Sequence, residues 1–174
     1  PIAGTMMYDY QRQRVLTLLD PSSDPLGAGF HTIQAIIAIG SGGIVGKGWM
    51  NGTQAHLDFI PERTSDFLFA VYSEEFGFLG DVGLLILYSA LIFRTLYIAC
   101  RAKTLFERLI AGAIAAIFLM YSFVNMGMVS GILPVVGVPL PFMSYGGTAF
   151  LILGICCGLL MRISAGSRRR PRKK

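Results

Sequence analysis

The sequence predicts an all-α polytopic membrane protein, the C-terminal part of a multi-span helical bundle with a large extracytoplasmic loop. Three observations predict it. Of the 174 residues, 53% are hydrophobic and only 14% are charged, a balance typical of chains that fold in lipid. Residues 109–161 contain no Asp, Glu, Lys, Arg or His. A run that long exceeds one bilayer crossing, so it must hold two spans joined at the proline-rich stretch 134–141. Finally, the charges are segregated: residues 1–81 carry nine of the ten acids and four of the fifteen Lys/Arg, and residues 82–174 carry one acid and eleven Lys/Arg.

Taken in order, residues 1–78 read as a long loop rich in Gly, Pro, Asp and Ser. Within it the apolar stretch 33–39 is too short to span and suits a short interfacial helix. Thr64 or Ser65 suits an N-cap, which puts Asp66 in the first turn of a helix running through Glu75. Gly77 and Gly80 then mark a break. The region 79–163 holds three spans, at about 82–100, 109–133 and 145–161, with the short basic loop 101–108 after the first. Residues 164–174 form a basic tail. Lys/Arg excess marks the cytoplasmic side, so the tail and the 101–108 loop fall inside. Residues 1–81 and the 134–141 connection then fall outside.

The basic balance lies in a loop and a tail, so it points to topology and not to nucleic acid. The tail Arg168-Arg-Arg-Pro-Arg-Lys-Lys174 can touch anionic head groups, though its ordinary role is a solvated anchor. Cys100, Cys156 and Cys157 lie in or beside apolar runs and read as small buried hydrophobes. No spacing of His, Cys or carboxylates suggests a metal site. The chain opens at Pro1 with no signal-peptide pattern and reads as part of a longer protein.

Several motifs carry chemistry. Ser41-Gly-Gly-Ile-Val-Gly46-Lys47-Gly48 imitates a phosphate-binding loop but has Ser41 for the first Gly and Gly48 for the magnesium-binding hydroxyl. What remains is a glycine-rich loop with one lysine. It is either a flexible connector or a source of N–H groups and a cation for a phosphate. Asp66 is either a helix-terminus acid or a general base near the membrane surface. Glu74 and Glu75 are a solvated face, a partner contact or a pKa-tuning pair. Asn125, alone in an uncharged span, suits an interhelical hydrogen bond. Ser144-Tyr-Gly-Gly147 suits close helix packing or unwound backbone.

A larger pattern joins these pieces. Tyr10-Gln-Arg-Gln-Arg14, Asp20-Pro21, Gly40-Ser-Gly-Gly43, Gly46-Lys-Gly48, Gly52-Thr-Gln54, Pro61-Glu-Arg63, Thr64-Ser-Asp66-Phe, Glu74-Glu-Phe-Gly77, Asn125-Met-Gly127 and Gly137-Val-Pro-Leu-Pro-Phe-Met-Ser-Tyr-Gly-Gly147 follow one another in this order. Together they resemble the C-terminal half of the SEDS family of membrane glycosyltransferases. The stretches 46–54 and 129–139 look closest to its cell-elongation branch. The resemblance implies polymerisation of lipid II into peptidoglycan beside a class B penicillin-binding protein and other elongation-complex proteins. It implies Asp66 as the catalytic residue. Lys47, Arg63, Gln54, Thr64 and Ser65 are the candidates for binding substrate and diphosphate, and Glu74, Glu75 and Ser144 for support. A bound divalent cation is a further candidate cofactor.

On that reading Asp66 takes the proton of an acceptor sugar hydroxyl, and undecaprenyl diphosphate leaves with inversion. A diphosphate needs cations and N–H donors more than a strong acid. Two alternatives stand beside it: a flippase for lipid II and a non-enzymatic scaffold for the penicillin-binding protein. A flippase requires a polar path through the spans, which are nearly uncharged. A scaffold requires no dependence on Asp66.

Overall fold

The computed structural model describes residues 28–52 and 65–168. These form four helices, α1 (Ala28–Gly42), α2 (Leu68–Arg101), α3 (Leu105–Val129) and α4 (Gly147–Arg168), with no strand among the described residues. Three of them, α2, α3 and α4, are long and apolar enough to cross a membrane. The 15-residue α1 extends only about 22 Å at 1.5 Å per residue, short of a bilayer core.

The core lies in two clusters. At one end Ala35 and Ala38 of α1 meet Ala70, Leu84 and Tyr88 of α2, Met128 and Val129 of α3, and Leu140 of the α3–α4 connection. At the other end Ala99, Ala111, Ile114, Phe118, Leu153 and Leu160 join α2, α3 and α4. Alanines at the contacts let helix backbones approach, as membrane packing requires. The opposite faces are exposed and apolar, with Ile86 and Phe93 on α2, Phe123 on α3, and Leu151 and Ile155 on α4; this is the surface a helix presents to lipid. Buried hydroxyls inside the spans are satisfied locally, Thr95 donating to the Leu91 carbonyl at 2.9 Å and Ser122 to the Phe118 carbonyl at 2.8 Å. Cys156 is buried but Cys100 is exposed, so the expectation of three buried cysteines does not hold.

Helix ends differ from the sequence reading for identifiable reasons. The cap of α2 is Phe67, which makes no side-chain cap bond; Ser65 and Asp66 lie in a turn before the helix. The helix α3 runs 105–129 and not 109–133. Its start is set by a capping box, Glu107 N–H donating to Thr104 Oγ1 at 3.2 Å and Thr104 N–H to Glu107 Oε2 at 3.3 Å. Its end is set by Gly131, whose φ of 74° is left-handed and which is followed by Ile132 and Leu133 N–H groups donating back to the Gly127 carbonyl. The last helix continues past 161 because Arg162 does not end a helix; a long cationic side chain can leave lipid by snorkelling.

The predicted break in α2 falls at Gly77 (φ 66°, ψ −166°), and Gly80 stays helical. An unbroken helix would join Phe78 and Leu79 N–H to the carbonyls of Glu74 and Glu75. Here the loop after α1 takes both sides of those two bonds. Phe78 and Leu79 donate to the carbonyls of Gly43 and Ile44, at 2.9 and 3.1 Å. Lys47 and Gly48 N–H donate to the carbonyls of Glu74 and Glu75, both at 3.0 Å. Backbone meets backbone so closely that a Cβ on Gly46 would lie 2.1 Å from the Glu75 oxygen, and one on Gly77 would lie 2.3 Å from the Gly46 nitrogen.

Gly77→Ala is therefore expected to destabilise the protein. The backbone conformation alone costs an alanine about 1–3 kcal/mol, and the clash with Gly46 adds to it. Thermal unfolding of the full-length protein in detergent measures this; an unchanged Tm would show that the loop does not hold the kink.

Candidate active site

The polar residues near the cluster that α1 joins fall into two groups, one just before α2 and one on it. The first surrounds the turn at 65–67. Asn125, on α3 and 0% exposed, donates through Nδ2 to the Asp66 carbonyl at 2.9 Å and to the Val138 carbonyl at 2.7 Å. Its Oδ1 has no donor among the described residues. Gly137, with φ 76°, lies beneath the Asp66 carboxylate, so close that a Cβ there would sit 3.1 Å from Oδ2. A carboxylate on a turn, tethered by its own carbonyl and set over a bare glycine, is half-buried and held in place.

The α3–α4 connection that supplies Gly137 is itself tied down. Tyr88 of α2 donates its hydroxyl to the Pro141 carbonyl at 2.6 Å. Ser144 Oγ accepts from Leu140 N–H at 2.8 Å while Ser144 N–H donates to the Leu140 carbonyl at 3.1 Å. Ser144 thus closes the 140–144 turn, a structural use of its hydroxyl.

The second group lies further along α2, Glu74 being about 9 Å beyond Leu68 at 1.5 Å per residue. Glu74 is wholly buried, and Lys47 Nζ donates to its Oε1 at 2.6 Å with the lysine side chain 28% exposed. Ser41 Oγ approaches the same oxygen at 3.5 Å. Glu75 is half-buried and contributes its carbonyl to the loop pairing. Beyond it Ser73 donates to Asp81 Oδ1 at 2.7 Å, and Trp49 packs edge-on against Phe76 at 5.8 Å.

This geometry revises the reading of the glycine-rich loop. It is neither a loose connector nor a set of amides open to phosphate. The N–H groups of Gly46, Lys47 and Gly48 are already committed to the carbonyls of Gly42, Glu74 and Glu75. Lys47 is charge-paired with Glu74, a packing role that its sequence context did not reveal. Of the remaining candidates, Ser65 lies beside Asp66 in the turn, while Gln54, Arg63 and Thr64 lie outside the described residues. Asn125 was expected to bond another helix; it bonds two loop carbonyls. Its signal was visible as a lone amide in an uncharged span, but nothing in the sequence named its partners. Among the described residues no three His, Cys, Asp or Glu side chains converge as a metal site.

The fold and site define a class: a polytopic helical membrane protein with a carboxylate on a tethered turn at one end of its bundle. Residues 1–169 match the FtsW, RodA and SpoVE family of cell cycle proteins, and the chain belongs to that family. It is 61% identical over 158 residues to the peptidoglycan glycosyltransferase MrdB of Escherichia coli K12, covering 91% of this chain and 43% of that protein. It is 44% identical over 156 residues to the peptidoglycan glycosyltransferase RodA of Treponema pallidum, covering 90% and 36%. Among solved structures it matches a chain from work on coordinated polymerization and crosslinking by a peptidoglycan synthase complex. There the TM-score is 0.72 and the identity 34%, over 94% of this chain and 44% of that one. It also matches an aspartate-to-alanine mutant of Thermus thermophilus rod shape determining protein RodA, with TM-score 0.60 and 25% identity, over 95% and 59%. The chain thus spans less than half the length of the curated relatives.

Removing the lysine from a buried carboxylate is costly. Lys47→Ala is expected to lower stability by about 3 kcal/mol, the low end for breaking a buried pair because the lysine is partly exposed. Adding Glu74→Gln should recover most of the loss. A thermal-unfolding cycle over the two single variants and the double variant checks this, and additive losses would contradict it.

Proposed function

We propose that the protein containing this chain is a peptidoglycan glycosyltransferase that polymerises lipid II during cell elongation, with Asp66 as general base. The observation that carries the proposal is the tethered turn, which sets the Asp66 carboxylate over Gly137. The relatives named as peptidoglycan glycosyltransferases support it. Asp66 accepts the proton of the acceptor 4-hydroxyl as that oxygen forms its bond to the anomeric carbon of the donor strand. The bond from that carbon to the diphosphate oxygen breaks, its electron pair leaving with undecaprenyl diphosphate. Attack opposite the leaving group inverts the anomeric carbon.

Lys47 and Arg63 are the proposed cations for the diphosphate, with Gln54, Thr64 and Ser65 binding substrate. The pairing of Lys47 with Glu74 lowers the net positive charge it offers, so the heavier share falls to Arg63. A divalent cation would supply further charge, but no step is assigned to it. Residues 1–81 are placed outside the cell and the tail inside, from the segregation of Lys/Arg. A class B penicillin-binding protein is the proposed partner, supported by the matched chain from a peptidoglycan synthase complex.

Asp66→Asn should leave folding intact and lower lipid II polymerisation by about 10²–10⁴-fold, the usual cost of losing a positioned base. Purified full-length protein assayed on lipid II tests this; near wild-type turnover refutes it. The orientation predicts that, with the native cysteines replaced, Asn51→Cys reacts with an impermeant thiol reagent in intact cells and Ser167→Cys does not. Labelling at 167 from outside would invert the topology.

A further inference from the structure

The proposed chemistry needs a base whose position is fixed, yet Asp66 is not in a helix. It lies in the turn before α2, and Phe67, the cap of that helix, makes no side-chain cap bond. Two elements distant in sequence meet it there. Asn125 reaches from α3 with both amide hydrogens engaged, one on the Asp66 carbonyl and one on the Val138 carbonyl. The second bond holds the residue next to Gly137, the floor beneath the carboxylate. One side chain therefore sets the spacing between the base and the wall it faces.

The burial of Asn125 is complete, and its oxygen has no donor among the described residues. Its two donors satisfy carbonyls on two separate segments, which an apolar side chain would leave without that partner. The amide is best explained by what its two donors align. A displacement of the base by about 1 Å is enough to cost about 10²-fold in rate.

We propose that Asn125 is a positioning residue for the glycosyl transfer, setting the Asp66 turn against the Gly137 and Val138 backbone; this rests on the assignment of Asp66 as general base. It touches no substrate. Its loss should therefore lower kcat and leave KM for lipid II nearly unchanged.

The test uses the full-length protein and lipid II, comparing Asn125→Leu, Asn125→Gln and Asp66→Asn for kcat, KM and Tm. Asn125→Leu keeps the branched shape and removes both donors, and is expected to lose about 10²-fold in kcat with little change in KM. Asn125→Gln keeps the amide one methylene further out and should fall between Asn125→Leu and wild type. A folded Asn125→Leu with wild-type kcat overturns the inference, as does a rise in KM without a fall in kcat. If Asn125→Leu does not fold, Asn125→Gln decides: reduced kcat with unchanged KM supports the inference, and full turnover overturns it. Failure of both to fold assigns the amide to the fold alone and overturns it too. An active Asp66→Asn sinks the functional reading itself, whereas an inactive one beside a fully active Asn125→Leu sinks only the positioning role.

Discussion

A helix broken beside a bilayer leaves amides and carbonyls that lipid cannot satisfy. The break at Gly77 exists because the loop after α1 supplies a partner for each group the break releases, two acceptors and two donors. That exchange needs backbone-to-backbone contact, which only glycine allows at Gly46 and Gly77. Most of the architecture at the α1 end of the bundle depends on it. The pairing fixes the end of α1 against α2, which places Ala35 and Ala38 in the cluster that also holds Phe67, the residue after Asp66. It brings Lys47 to Glu74, and it lets the first turns of α2 leave the line of the span behind them.

The two polar groups, one before α2 and one on it, follow different physical rules. At Glu74 the governing term is desolvation: a buried carboxylate is tolerated only with a cation and hydrogen bonds to offset the loss of water. That requirement consumes much of what Lys47 has to give. Around Asp66 the tether from Asn125 runs through the main chain, to its carbonyl, and Gly137 lies beneath its carboxylate oxygen. The carboxylate is thereby aimed while its own hydrogen-bonding capacity is not consumed by Asn125. The Glu74 ion pair and the Asp66 turn are thus secured by opposite means.

The fold was legible wherever a single local rule sufficed. Uncharged length announced the spans, and the glycine in Glu74-Glu-Phe-Gly77 announced the break. The start of α3 was readable too, in Thr104-x-x-Glu107, but the charge at Arg108 drew the boundary further on, although a charge ends an apolar run without ending a helix. The end of α3 was likewise marked by Ser130-Gly131, while apolar content through Leu133 suggested continuation. Asp66 stood out as a candidate base through its family pattern. What escaped were facts made by tertiary contact: that the glycine-rich loop is spliced into a broken helix, that Glu74 is its lysine's partner, and that Asn125 and Gly137 bracket Asp66 from α3 and the connection beyond it. Periodicity and composition report on neighbours in sequence, and these pairs are separated by 27 residues for Lys47 and Glu74 and 59 for Asp66 and Asn125.

Placing a base in a turn has a consequence for how such a site evolves and fails. A carboxylate on a helix inherits its direction from the helix, and distant changes leave it where it was. A carboxylate in a turn inherits its direction from whatever pins the turn. Here the pins come from α3 and from a connection anchored in turn by Tyr88 and by the Ser144 closure. Motion between α2 and α3 therefore acts directly on the spacing between Asp66 and Gly137, through one amide group. Packing between the long helices, which in a bilayer gains little from hydrophobic burial and rests on close contact of small residues, becomes part of the geometry of the proposed reaction.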